Sequence, residues 1–252
     1  MYITIQVILP TLLIQALTAH SALIVTQMEC KNCGAGSIGR FCSGCGQKLD
    51  SKRIALHDVV HDVVHTFTHF EKGFLHTVKR LATHAGSMQK EYLHGQRVRH
   101  QKPFPMFFVA GTICALAMYF LYKSSSQPKE HVFFKNYYVI LHACLLPVYA
   151  FSTWLFFKKS QFYYGEILVL IIYMVGFMSL LVIPINLMHG WLSNGMITLI
   201  ELVVLAAYNV WTYLNFFDDR NRAWVIVKSI INIAFNFLLF NKVASLIIQW
   251  ML

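Results

Sequence analysis

YYGEILVLIIYMVGFMSLLVIPINL, residues 163–187, contains one acid, one asparagine and no lysine or arginine. A helix that crosses a bilayer needs about 20 mainly apolar residues, and this stretch supplies them, with Glu166 near its start and Pro184 near its end. Four other runs behave in the same way. They are Phe104–Tyr122, Tyr137–Phe157 with His142 and Pro147, Ile197–Phe217 with Glu201 close to its start, and Ala223 to about Ile248 with Lys228 and Lys242. The pattern predicts an all-α polytopic membrane protein, with about five transmembrane helices bundled in residues 103–252 and the lipid bilayer as its first partner.

Composition agrees. The 252 residues are 57% hydrophobic and 13% charged, against roughly 25% charged in soluble domains. The net charge of +10 hints at nucleic acid, but its distribution does not. Of the 21 Lys and Arg residues, 12 lie between Lys31 and Lys102, ahead of the apolar runs. Basic residues beside apolar spans suit membrane orientation and anionic headgroups, and no specific nucleic-acid partner is expected. Lys158 and Lys159 join spans two and three, and Arg220 and Arg222 join spans four and five. Both loops fall on the side of the basic N-terminal region, which places that region in the cytoplasm; Lys123, Lys129 and Lys135 count against it.

Before the spans stands MECKNCGAGSIGRFCSGCGQK, residues 28–48, with two CxxCG units eight residues apart. CxxC spacing lets two sulfurs of one turn reach a single ion, and the following glycine permits the backbone angles such a turn needs. Cys30, Cys33, Cys42 and Cys45 thus predict a closed, structural four-thiolate zinc site in a small ribbon over residues 28–50. Cys114 and Cys144 read as small buried apolar residues. Residues 1–27 carry no Lys, Arg, Asp or Glu and lack the positive n-region of a secretory signal. They are expected to be an upstream extension, or an extra apolar segment, with Met28 as the natural start.

Residues 51–102 form the third expected section, amphipathic juxtamembrane helices in the headgroup layer. His57, His61, His65 and His69 recur every four residues, which sweeps about 120° around a helix, too wide for one ion. A weaker second metal site of His61, Asp62 and His65 is the sharper reading, and a plain polar face the broader one. Phe74, Leu75, Val78, Leu81 and Ala82 continue an apolar stripe, and Met88, Tyr92 and Leu93 a second one ended by Gly95. Within the spans, His142, Glu166 and Glu201 are candidates for a substrate or proton path, because charge in lipid is costly. Asn232 and Asn236 share a helix face and suit interhelical hydrogen bonds.

The order of these features resembles a bacterial membrane family catalogued as domain of unknown function 3667. The resemblance rests on the double CxxCG knot, FEKGFLHTVKRL (70–81) and KEYLHGQRVRHQKPFPMF (90–107), and covers residues 28–125 well. Its matched elements include Gly73, Phe74, Thr77, Tyr92, Gly95, Arg97 and Pro103; the family tends to have Pro-Gly at Ala85–Gly86 and an aromatic at His100. The resemblance implies a zinc ribbon followed by spans in a bacterial inner membrane, and no activity. Two functions follow as expectations. One is a scaffold or accessory protein whose ribbon docks a cytoplasmic partner; the other is a small transporter or channel using polar residues in the spans. A nucleophile motif, a phosphate loop and HExxH are all missing from the sequence, so an enzyme is not expected.

Overall fold

A computed structural model of the chain describes residues 28–50, 53, 73–123, 129–217 and 221–251. Residues 1–27 and the segment carrying His57, His61, Asp62, His65 and His69 lie outside the described residues, and so does the weaker second metal site. The chain divides into two compact units, Met1–Ser51 and Lys52–Leu252. In the first, strand β1 (Met28–Glu29) pairs antiparallel with β2 (Gly36–Ser37).

The second unit is helical. In chain order it contains α1 (Phe74–Thr83), α2 (Ser87–Leu93), α3 (Pro103–Tyr122), α4 (Lys129–Phe156), α5 (Tyr164–Leu187), α6 (Asn194–Phe216) and α7 (Arg222–Met251). The last five are long and apolar enough to cross a membrane. The sequence fixes their starts locally. Pro103 occupies the first turn of α3, where its missing N–H is not needed. Ser193 Oγ accepts the Met196 N–H ahead of α6, a conventional N-cap. α4 begins well before the predicted Tyr137, though its apolar part is Val139–Phe156.

The opening stretch becomes the hub. The apolar window of α5 is 78% buried, against 17–39% for the other four. That explains why it is apolar all round: it meets protein on every side. α4, α5, α6 and α7 each pack against the next, and α7 closes back on α4, so the four form a ring. α3 lies outside the ring against α4 and α5. Small residues permit that approach: Gly176 faces the Phe107 backbone, and Gly111 faces Val139. The outward faces carry Phe108, Leu116, Phe120, Val203, Ile230 and Leu238, all exposed. Such continuous apolar surface is what a lipid-facing bundle presents. Cys114 is buried as expected, but Cys144 is exposed, because it falls on the outer face of α4.

α3 and α5 run parallel but staggered. Phe107 lies at Gly176, and Tyr122 donates to Asn186 Oδ1 at 2.7 Å. Pro103 therefore sits level with a point about 12 Å into α5 at 1.5 Å per residue. The space beside the first half of α5 is taken by α1 and α2, folded back as an elbow against α5 and α6. Leu81, Ala85, Met88, Tyr92 and Leu93 join the same core as the spans. Leu75 and Ala82, read from sequence as part of the apolar stripe, are instead exposed, because Thr77 and Leu81 set which face is buried.

The elbow is closed by directed bonds. The Gln101 N–H donates to Thr77 Oγ1 at 2.8 Å, and Tyr173 Oη donates to the Gln101 carbonyl at 2.5 Å. Arg97 Nε donates to the Tyr92 carbonyl, and the guanidinium stands over the Tyr92 ring. Thr77→Val keeps the shape and strands the buried Gln101 N–H. We expect a loss of about 1–3 kcal/mol, read as a lower unfolding midpoint in detergent, whereas Thr77→Ser should lose much less.

Candidate metal centre and intramembrane cavity

The thiol cluster is built from two copies of one turn. In the first, the Cys30 N–H donates to the Ala35 carbonyl and the Gly34 N–H to the Cys30 carbonyl; in the second, the Cys42 N–H donates to Gln47 and the Gly46 N–H to Cys42. Gly34 and Gly46 both have φ of 74°, the left-handed region that favours glycine. Each CxxC therefore curls its two sulfurs inward. Cys30 Sγ lies 3.6 Å from Cys45 Sγ, and Cys33 Sγ 3.5 Å from Cys42 Sγ. All four sulfurs lie within 4.8 Å of one another, close enough to hold a metal ion. A tetrahedron with bonds of about 2.3 Å has edges of about 3.8 Å, so the donor set fits with little adjustment.

The thiols are not electrostatically alike. The Ser37 hydroxyl donates to Cys42 Sγ at 3.5 Å, and with the Cys45 backbone it lowers the Cys42 pKa to about 6. At Cys33 the Ala35 backbone works downward, but hydrogen bonds with Cys42 and Cys45 prevail and push the thiol up to about 12. One thiolate forms readily, and further negative charge at such short range needs a cation.

In the helical unit, the three polar residues singled out within the spans separate. Glu166 is held in a network at the start of α5. Its carboxylate accepts the Tyr163 N–H at the start of α5 and two hydrogen bonds from Arg53, each 2.9 Å. The carboxylate raises the Arg53 pKa in return. His142 and Glu201 instead share a cavity of about 370 Å³ inside the α4–α7 ring. His142 hydrogen-bonds Tyr149 Oη at 3.2 Å and lies flat on Phe240, with ring centroids 4.4 Å apart. Glu201 Oε1 accepts from Asn186 Nδ2, whose Oδ1 accepts from Tyr122.

Sequence reasoning missed the tyrosines and the threonine, Thr153, that continue this polar line. Tyr213 Oη and Thr153 Oγ1 meet at 3.3 Å, and Asn232 Nδ2 donates to both. Asn236 Nδ2 donates to Asn232 Oδ1, and Ser152 donates to Asn236. Asn232 and Asn236 do bond across helices, as their shared face implied. Tyr149 and Tyr213 gave little signal, since tyrosine in a span also marks interfaces.

The elbow itself matches known sequence. Residues 71–114 match the model of a family described as protein of unknown function (DUF3667). The DUF3667 segment begins after the thiol cluster, so it is narrower than the 28–125 that the resemblance covered, and it spans α1, α2, the Gln101 turn and the first half of α3. Gly73, Thr77, Tyr92, Gly95, Arg97 and Pro103, quoted above for the resemblance, are the residues that close the elbow or start α3. Gly73 and Gly95 have φ of 135° and 109°. No curated protein and no solved structure matches the chain.

Proposed function

We propose that the helical unit is a small transporter or channel whose working chamber is the cavity inside the α4–α7 ring. One observation carries this reading: His142 and Glu201, on different helices, line the same 370 Å³ space. Lining residues on α6 run from Thr198 to Tyr213, about 22 Å along the axis at 1.5 Å per residue, most of a hydrocarbon core of about 30 Å. Glu201 is the group that interacts with the permeant species, and Asn186 steadies it. The test uses proteoliposomes with an imposed pH gradient and an internal pH dye. Wild-type protein should dissipate the gradient faster than empty liposomes, and Glu201→Gln should slow it at least fivefold. Wild-type traces indistinguishable from empty liposomes overturn the reading.

The four thiols hold Zn²⁺ in this proposal. Zinc accepts tetrahedral sulfur without redox activity, and four protein ligands leave no open position, so its role is to fold the ribbon. The protein sits in a bacterial inner membrane with the ribbon side in the cytoplasm. Phe162 and Phe216 meet at 4.5 Å, so the loop with Lys158 and Lys159 and the loop before Arg222 share one end. A second reading, an accessory protein whose ribbon docks a cytoplasmic partner, is favoured by Ile38 and Phe41, 66% and 60% exposed on the ribbon.

A further inference from the structure

The seam between α4 and α7 changes character toward the end that carries Lys158 and Arg222. Deep in the bundle it is polar, with Asn232 bonded to Thr153 and Asn236 to Ser152. One turn nearer the end, Lys228 succeeds Asn232 and Phe157 succeeds Thr153. The Lys228 ammonium stands 5.6 Å from the Phe157 ring and 5.6 Å from the Trp224 ring. The Lys158 ammonium stands 5.8 Å from the Trp154 ring. Lys158, Lys159 and Arg222 are exposed, and Lys228 also interacts with other groups.

Trp224, Lys228, Ile231 and Phe235 follow at intervals of four, three and four, which is one face of α7. Phe235 meets Phe156 of α4, with ring centroids 6.5 Å apart. Trp224, Ile231 and Phe235 are 53%, 50% and 48% exposed. Lys228 is about 9 Å from the start of α7 at 1.5 Å per residue. The face is therefore cationic and aromatic over that distance and apolar beyond it, inside a stretch long and apolar enough to cross a membrane.

An occupant has to match that order. Free phosphate matches the cations and leaves Ile231 and Phe235 uncovered. A phosphatidylcholine supplies the chain but brings a second cation to a cationic end. An anionic phospholipid matches both parts, and tryptophan suits the headgroup depth. The acids at this end do not cancel the attraction. Glu166 accepts from Arg53, and Asp218 and Asp219, which lie outside the described residues, are followed by Arg220 and Arg222.

We infer that the seam between α4 and α7 binds an anionic phospholipid, its phosphate among Lys158, Arg222 and Lys228 and an acyl chain along Ile231 and Phe235. The inference rests on neither transport nor the metal centre.

The experiment titrates the full chain in detergent with dioleoylphosphatidylglycerol or dioleoylphosphatidylcholine and counts bound lipid by native mass spectrometry. Wild type should retain one phosphatidylglycerol per chain, at least about tenfold more tightly than phosphatidylcholine, given the attraction of each near-surface Lys or Arg. The double variant Lys158→Gln, Arg222→Gln should reduce that preference to below about threefold. Lys242→Gln, about 30 Å along α7 from Arg222, should leave it unchanged. A second measurement needs no variant: phosphatidylglycerol with a photoactivatable acyl chain should label the peptide around Ile231 and Phe235, and excess unlabelled phosphatidylglycerol, but not phosphatidylcholine, should suppress the labelling. Equal retention of the two lipids, an unchanged preference in the double variant, an equal loss in Lys242→Gln, or labelling confined to other helices overturns the inference. Displacement of the lipid by millimolar inorganic phosphate, beyond that caused by chloride of equal ionic strength, assigns the cations to a soluble phosphate and also overturns it.

Discussion

Cys42→Ser should release the metal from the thiol cluster. Elemental analysis of protein purified without chelator should give about one zinc ion per chain for wild type and less than about 0.1 for the variant. The effect is large because the core is small: among the described residues of the ribbon, Cys30, Cys42 and Leu49 are the buried apolar ones. If the proposed zinc is bound, it would supply most of the folding energy, on the order of 10–16 kcal/mol in comparable small zinc domains. Cys42 is the sensitive position because it is buried and receives the Ser37 hydroxyl. In the proposed site, removing its sulfur deletes a ligand and the acceptor of the Ser37 hydrogen bond. Acid should act in the same direction, since binding requires deprotonated thiols and protons compete for them. Zinc should therefore leave as pH falls, with Ser37→Ala releasing it at a higher pH than wild type. Wild-type protein without zinc or iron, or Cys42→Ser with undiminished metal, refutes the site.

Gly86→Ala should destabilise the helical unit by about 3 kcal/mol. Gly86 links α1 to α2 with φ of 83°, a conformation that costs other residues roughly 1–2 kcal/mol. A methyl group there would stand 2.4 Å from the Thr212 carbonyl, 2.7 Å from Asn215 Cβ and 2.8 Å from the Phe216 nitrogen. Two of these are backbone atoms of α6, so the elbow must move away, and overpacking of this kind costs a further 1–3 kcal/mol. The Asn215 Nδ2 bond to the Ala85 carbonyl would stretch with it. The thermal midpoint in detergent should fall, and trypsin should cut faster at Lys90, Arg97 and Arg99. Gly190→Ala, where an added Cβ meets nothing within 4 Å, should change stability by less than about 0.5 kcal/mol. Similar behaviour of the two variants would mean that the elbow is not seated on α6.

Much of this architecture was legible in the residues alone. Helices that must cross lipid announce themselves by length and lack of charge, and all five runs are found within a few residues of their expected bounds, apart from the early start of α4. The paired CxxCG units were equally legible, because metal geometry restricts which spacings work. What sequence did not reveal was tertiary. The centrality of α5 was only implicit in its being apolar on every face. Glu166 and Glu201 look alike in one dimension, each near the start of an apolar run. Yet one caps a helix and pairs with Arg53, 113 residues earlier in the chain, while the other lines a cavity. The elbow was invisible for the same reason. Its amphipathic turns suggested a layer on the membrane, and only the stagger of α3 against α5 creates the recess that receives them.

That recess has a consequence for synthesis. Leu81 meets Tyr208 across 127 positions and Ala85 meets Asn215 across 130. At 5–20 residues per second, the ribosome needs roughly 10 s to make the second partner after the first. During that interval Leu81, Met88 and Tyr92 have no seat, and a nascent chain halted before α6 would expose them to chaperones and proteases.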